Sequence, residues 1–97
     1  MTNKYILVRW IHSFADEPVL LYSELYEQRF ERRKVHVFHD GHMEYADADT
    51  ESDSTGLGLV PTPELCEIAA DPEFEPTEIT KDEFEKVWSQ CQVGFVR

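Results

Sequence analysis

The sequence predicts an α+β domain: a four-stranded antiparallel sheet followed by two helices packed on one face, in the order β-β-β-β-α-α, with residues 1–97 forming a single domain. Three observations lead there. Alternating β-branched and aromatic residues crowd the first half, an Asp40-Gly41 pair divides two β-rich runs, and the second half carries helix caps followed by apolar residues at helical spacing.

The elements follow in order. Tyr5 to His12 alternates two sets, Tyr5, Leu7, Arg9, Ile11 and Ile6, Val8, Trp10, His12, and both are apolar enough for an interior strand. Phe14 to Pro18 reads as a turn. Val19 to Tyr26 is a second strand, with Leu20, Tyr22 and Tyr26 on one face and Val19, Leu21 and Leu25 on the other. The stretch from Leu21 to Arg33 also contains many helix formers, but strand followed by loop is the preferred reading. Asp40-Gly41 suits a two-residue type I′ hairpin, which sets His39 opposite His42, Phe38 opposite Met43, Val37 opposite Glu44 and His36 opposite Tyr45.

From Asp47 the character changes. Residues 47–54 alternate carboxylates with small or polar side chains, as a solvated loop does. Thr62 as N-cap and Pro63 at the first helical position open a short helix that Asp71-Pro72 ends. Residues 73–78 form an acidic connector pinned by Phe74. Thr80-x-x-Glu83 is a capping box, and Phe84, Val87, Trp88 and Cys91 then share one stripe of a helix.

A hydrophobic content of 41% and an aromatic content of 12% support a folded core. No run approaches the roughly 18 apolar residues of a membrane span, and the first residues read as a strand and not as a signal peptide, so a cytoplasmic location is expected. Cys66 and Cys91 fall on helical apolar stripes and are expected as buried thiols, with a disulfide between them left open.

Charge is the most informative feature. Twenty Asp and Glu oppose nine Lys and Arg, a net charge of −11. Residues 1–39 are nearly balanced, whereas residues 40–85 hold a single cation, Lys81, among many carboxylates. Such a field repels nucleic acid and anionic membranes and suits a basic protein partner. The simplest alternative is a solvated face that only keeps the chain soluble. The candidate docking charges are Asp47, Asp49, Glu51 and Asp53 in the loop and Glu73, Glu75 and Glu78 in the connector. Tyr45, and less so Phe74, are candidate aromatic anchors.

Other chemistry finds little footing. Asp47-x-Asp49-x-Glu51-x-Asp53 lacks the glycine and the distal glutamate of a calcium loop, since Ser52 and Gly58 stand there. His39 and His42 flank a turn, yet no third zinc ligand is identifiable. Neither a nucleophile turn nor a phosphate-cradling loop occurs, so no cofactor, metal or catalytic residue is expected. Arg29, Arg32, Arg33 and Lys34 make one basic cluster, too narrow for a nucleic-acid face and suited to salt bridges with the acidic half.

The opening Lys4-Tyr-Ile-Leu-Val-Arg-Trp-Ile-His12, the segment Asp16-Glu-Pro-Val-Leu-Leu-Tyr-Ser-Glu-Leu25 and the tail with Asp71-Pro-Glu-Phe74 resemble a small bacterial domain family of unknown function, along nearly the whole chain. The resemblance implies a bacterial or phage origin and transfers no activity. The leading expectation is an immunity or inhibitor protein that occludes a basic toxin, such as a nuclease. One alternative is a phage or mobile-element protein that opposes host defence by mimicking the charge of DNA. Another is a metal-dependent enzyme built on the histidine hairpin.

Overall fold

The alternation in the first half produces strands, and one more strand joins them from the acidic second half. The computed structural model describes residues 3–47, 57–58 and 61–93. Strands β1 (Lys4–Trp10), β2 (Pro18–Leu25), β3 (Glu31–Phe38) and β4 (Met43–Ala46) form an antiparallel meander. Helix α1 (Leu65–Ala69), strand β5 (Phe74–Ile79) and helix α2 (Lys81–Val93) follow. The sheet has five strands in the order β4-β3-β2-β1-β5, so the expected four-stranded sheet is one strand short.

The extra strand is the expected acidic connector. β5 pairs with β1 from Tyr5 opposite Ile79 to Trp10 opposite Phe74. Glutamates and a central Pro76 hide it in the sequence, because proline removes a ladder donor. An edge position tolerates both, since one side of the strand faces water.

β5 also corrects the placement of the helices. By register, Ile6 and Val8 of β1 share a face with Leu21 and Ser23 of β2, and Leu65 and Ile68 of α1 pack there. Tyr22, Val35, Val37 and Tyr45 lie on the other face, where Val87, Trp88 and Cys91 of α2 cover them. The helices therefore pack on opposite faces, not on one. A strand inserted between two helices carries the chain across the plane of the sheet.

The hairpin register also differs from expectation by one residue. Val37 opposes Met43, His36 opposes Glu44 and Val35 opposes Tyr45. The Gly41 N–H donates to Phe38 O (2.9 Å), the Phe38 N–H donates to His42 O (3.0 Å), and Gly41 has φ +90°. This is a three-residue loop with its left-handed residue at Gly41, in place of a two-residue type I′ turn. A shift of one residue moves each side chain to the other face, and this one puts Tyr45 against α2.

The β2–β3 loop repeats that geometry without a glycine. The Arg29 N–H donates to Tyr26 O and the Tyr26 N–H to Phe30 O, both at 2.9 Å, and Arg29 takes φ +69°. Its side chain donates to the carbonyls of Thr62 (2.8 Å) and Pro63 (2.7 Å), while Thr62 N–H donates to Arg29 O (2.7 Å). Thr62 is thus held by Arg29 and is not the N-cap of α1. Glu64 is the N-cap, and its N–H donates to Glu67 Oε1. With the helix starting later, Leu65 and Ile68 face the sheet and Cys66 is exposed, against the expected buried thiol. Cys91 is buried on the far face, and no disulfide joins it to Cys66.

α2 begins as the sequence predicts. Glu83 N–H donates to Thr80 Oγ1 (3.1 Å) and Thr80 N–H to Glu83 Oε1 (2.9 Å). Phe84 is fully buried against Tyr5, with ring centroids 5.6 Å apart.

Candidate functional site

Three regions carry chemistry: the acidic β5 edge, an aromatic end of the sheet beside it, and a groove beneath α1. A fourth, buried cluster explains where the cations have gone.

Glu24 lies on β2 with almost no exposure. It accepts hydrogen bonds from Asn3 Nδ2 (3.1 Å), the Tyr5 hydroxyl (2.9 Å) and Arg33 Nε (2.5 Å). Arg33 continues to both carboxylate oxygens of Glu85 on α2, and its guanidinium lies 4.9 Å and 5.0 Å from the Phe84 and Trp88 ring centres. Burial pushes the Glu24 carboxyl up. Hydrogen bonds from Arg33, Asn3 and Tyr5 and the charge of Arg33 outweigh burial and hold it below its ordinary value. Arg33 itself stays charged, because both carboxylates overcome its own desolvation.

The same pattern takes up Arg29 and Lys34, whereas Arg32 lies 3.8 Å from Glu24 and keeps 50% of its side-chain surface. Arg29 pairs with Glu64 at 3.5 Å and Lys34 with Glu31 at 2.9 Å, and Arg29, Arg33 and Lys34 keep only 16%, 17% and 13% of their side-chain surface. The expected salt bridges to the acidic half are thus present at Arg29–Glu64 and Arg33–Glu85.

The carboxylates point the other way. Glu64, Glu67, Asp71, Asp82 and Glu83 stand exposed, and so do Glu73, Glu75 and Glu78 along β5. Glu75 lies 4.0 Å from Arg9 and Glu78 3.7 Å from Lys4, loose pairs between exposed groups that contribute little to stability. Glu73 accepts from Trp10 Nε1 at 3.3 Å. The three sequence-chosen connector glutamates therefore share one sheet edge. Asp47 follows β4, at the opposite edge of the sheet. Asp49, Glu51 and Asp53 lie outside the described residues. Tyr45 is half-buried and meets Trp88 edge-on at 5.6 Å, so its ring fastens α2 to β4. Phe74 is half-buried against Ile6, Val8 and Leu25.

Trp10 leads from the β5 edge to a group of rings that the sequence does not single out. Its centroid lies 5.7 Å from Phe74 and 4.3 Å from His12, and His12 stacks on Phe14 at 5.3 Å. His12 is fixed by the backbone: Nε2–H donates to Pro18 O (2.8 Å), and Nδ1 accepts the Phe14 N–H (2.9 Å). Beside these rings Ile11 is 46% and Phe14 60% exposed, with Asp16 and Glu17 next in the loop. An apolar patch rimmed by carboxylates is the usual anatomy of a protein-binding surface.

The hairpin histidines diverge. His42 Nδ1–H donates to Asp40 (2.5 Å) while its ring stacks on Phe38 at 4.2 Å, and His39 meets His12 at 5.3 Å. Among the described residues no three His, Cys, Asp or Glu side chains gather as a metal ion requires.

On the α1 side, a groove of about 510 Å³ opens between the helix and the sheet. Ile6, Val8, Leu21, Ile68 and Phe74 form its apolar part, and Glu31, Lys34, His36, Glu67 and Asp71 its polar part. Burial, aided by Lys34, pushes the His36 ring down to about 4, against the opposing pull of Glu31 and Glu44, so the ring is neutral at physiological pH. Alternation alone puts His36 on this face, and the three-residue loop sets it opposite Glu44, where a two-residue turn would set it opposite Tyr45.

No helix among the described residues is long and apolar enough to cross a membrane. No curated protein and no solved structure matches the chain. A family profile described as a domain of unknown function (DUF6881) matches residues 4–93, which takes in every strand and both helices. The chain belongs to that family.

Proposed function

We propose that this chain is a small acidic binding protein whose partner is a basic protein. In its finer form the reading is an immunity or inhibitor protein that acts in the cytoplasm and covers the active site of a basic toxin, such as a nuclease. The observation that carries it is the sorting of charge. Arg29, Arg33 and Lys34 are spent on internal pairs, while Glu73 and Glu75 stand on an exposed edge next to the Ile11–Phe14 patch, with Glu78 farther along the same edge. The cations left on the outer surface are therefore fewer than the nine in the sequence, although each internal pair also takes up a carboxylate and the net charge stays at −11. Rim carboxylates steer a basic partner and raise its on-rate, and exposed apolar side chains supply the anchor.

The test starts from affinity capture in the native host and continues with stopped-flow kinetics on the partner identified. The expected partner is basic, and its on-rate falls about tenfold or more as ionic strength rises from roughly 0.05 to 0.5 M. Glu73→Gln with Glu75→Gln and Glu78→Gln lowers that rate by about 3- to 10-fold, with little effect on folding because their ion pairs are exposed. The corresponding Asp47, Asp49, Glu51 and Asp53 amide variants report on the loop. An on-rate indifferent to salt and to both sets would end the proposal. Competition by duplex DNA for the same partner would move it to DNA-charge mimicry.

A further inference from the structure

We propose that the groove between α1 and the sheet binds a small amphipathic cation: a primary amine or guanidine carried on an apolar body of about ten heavy atoms. The site goes beyond the reading above and does not depend on it.

The groove follows from the lengths of the two helices. Five strands span about 19 Å between their outermost members. α2, with 13 residues, is about 20 Å long and covers its face, whereas the five residues of α1 reach only about 7.5 Å. Part of the apolar surface around Leu21 and Phe74 is consequently left without a helix above it, over a floor in which Ile6 and Val8 are already buried. The resulting space of about 510 Å³ falls within the range of small-molecule sites.

Charge decides what fits. Of the groups lining the space, Glu31 and Lys34 neutralise one another at 2.9 Å, and His36 is uncharged. Glu67 and Asp71 have no ion-pair partner among the described residues, so the lining carries two uncompensated negative charges. Each already gives one oxygen to the fold: Glu67 Oε1 accepts the Glu64 N–H at 3.0 Å, and Asp71 Oδ1 accepts the Glu73 N–H at 2.9 Å. Those bonds hold the two carboxylates at the lip of α1, and among the described residues the second oxygen of each accepts no hydrogen bond. An anion would meet this rim at a loss, and a neutral apolar molecule would leave both charges unanswered. A protonated nitrogen at the rim, with its body on Leu21, Ile68 and Phe74, satisfies both parts.

The experiment is an NMR titration of the full chain with phenethylamine, and in parallel with 2-phenylethanol, its uncharged counterpart. The amine is expected to shift the amides of Val8, Leu21, Ile68 and Phe74 saturably, with a Kd on the order of 1 mM. The alcohol is expected to bind at least about 3-fold more weakly, and Glu67→Gln with Asp71→Asn to weaken the amine about 5-fold. Gln and Asn keep the acceptor oxygens used by the Glu64 and Glu73 N–H groups, so the variant loses charge and not its caps. Equal binding of amine and alcohol overturns the proposal. So do shifts confined to another part of the chain, or cross-peaks in the free protein between the Phe74 ring and residues 59–60.

Discussion

Replacing His36 with glutamine should change the pH dependence of folding more than folding itself. The ring is half-buried beside the groove, and burial with the nearby Lys34 charge lowers it from 6.5 to about 4. The unfolded chain therefore binds a proton that the folded chain refuses between those values. Stability from this group is fully present above pH ~6.5 and is lost progressively as the pH falls toward ~4. A shift of about 2.5 units corresponds to a ceiling of ~3 kcal/mol, of which ~2 kcal/mol falls between pH 6.5 and 5. The ring keeps some contact with water, which brings the expected loss to ~1–2 kcal/mol over that interval. This is a large share of the 5–15 kcal/mol typical of a domain.

Urea unfolding followed by the fluorescence of Trp10 and Trp88, from pH 7.5 down to 5, measures it. The wild-type chain should lose stability across the series faster than His36→Gln. His12, His39 and His42 are present in both proteins and cancel in the difference, and stopping at pH 5 keeps the carboxylates out of range. Any hydrogen bond lost with the imidazole offsets the variant equally at every pH, so only the difference in slope matters. Parallel profiles, within about 0.5 kcal/mol, would mean that His36 is solvated and that the groove is not the partly dry space described above.

Two further substitutions probe the buried cations. Glu24→Gln leaves Arg33 with Glu85 alone and turns an amide N–H₂ toward groups that donate, so it should cost ~2–4 kcal/mol, read as a lower urea midpoint at an unchanged m-value. The Glu24 carboxyl is held below its ordinary value in the fold, so its stabilisation is present above pH ~4.5 and lost as the pH falls through the lowered value; the variant's acid limb should be flatter there. At Arg29, with φ +69°, Arg29→Ala loses the bonds to Thr62 and Pro63 and keeps the left-handed strain, whereas Arg29→Gly loses the bonds and relieves it. Glycine should therefore be the more stable of the two by ~0.5–1 kcal/mol in the same assay, and the opposite order would refute the strain.

What could be read from the sequence was what depends on neighbours along the chain. The Thr80–Glu83 capping box is one helical turn of local chemistry, and it forms as read. The first two strands announce themselves by alternation, and β3 and β4 by the β-rich runs around Asp40-Gly41. β5 does not, because Glu75, Glu78 and Pro76 suit an edge that the sequence cannot identify as one, and without it both helices fall to one face. Arg29 shows the same limit. Two loops share one geometry, but only Asp40-Gly41 carries the residue that such a loop favours, and Arg29 is held in its place by contacts more than thirty residues away. For the site, the carboxylates of β5 were visible as a charge run, whereas the exposure of Ile11 and Phe14 depends on which elements leave that end of the sheet uncovered. The alternation of β1 gave Ile11 a buried place, and β1 stops at Trp10.

The internal pairing of the cations links stability to surface character. Arg33 is useful inside because it reaches Glu24 across the sheet and Glu85 on α2 with one planar group, and Phe84 and Trp88 shield it from water. Arg29 does comparable work between a loop and the start of α1, and Lys34 with Glu31 at the groove. Of their partners Glu24 and Glu31 are mostly covered while Glu85 and Glu64 stay in part exposed, and the paired cations are then unavailable to the outer face. The remaining exposed carboxylates repel one another, a cost the fold carries without any gain in its own stability. If solubility were the only requirement, a smaller excess spread over the surface would meet it. At the start of β5, Glu73 and Glu75 instead stand beside rings and an exposed isoleucine that would themselves be better buried, with Glu78 farther along the edge. Two unfavourable features that adjoin one another at Glu73 are what the proposed basic partner would satisfy, with basic groups at its rim and an apolar centre.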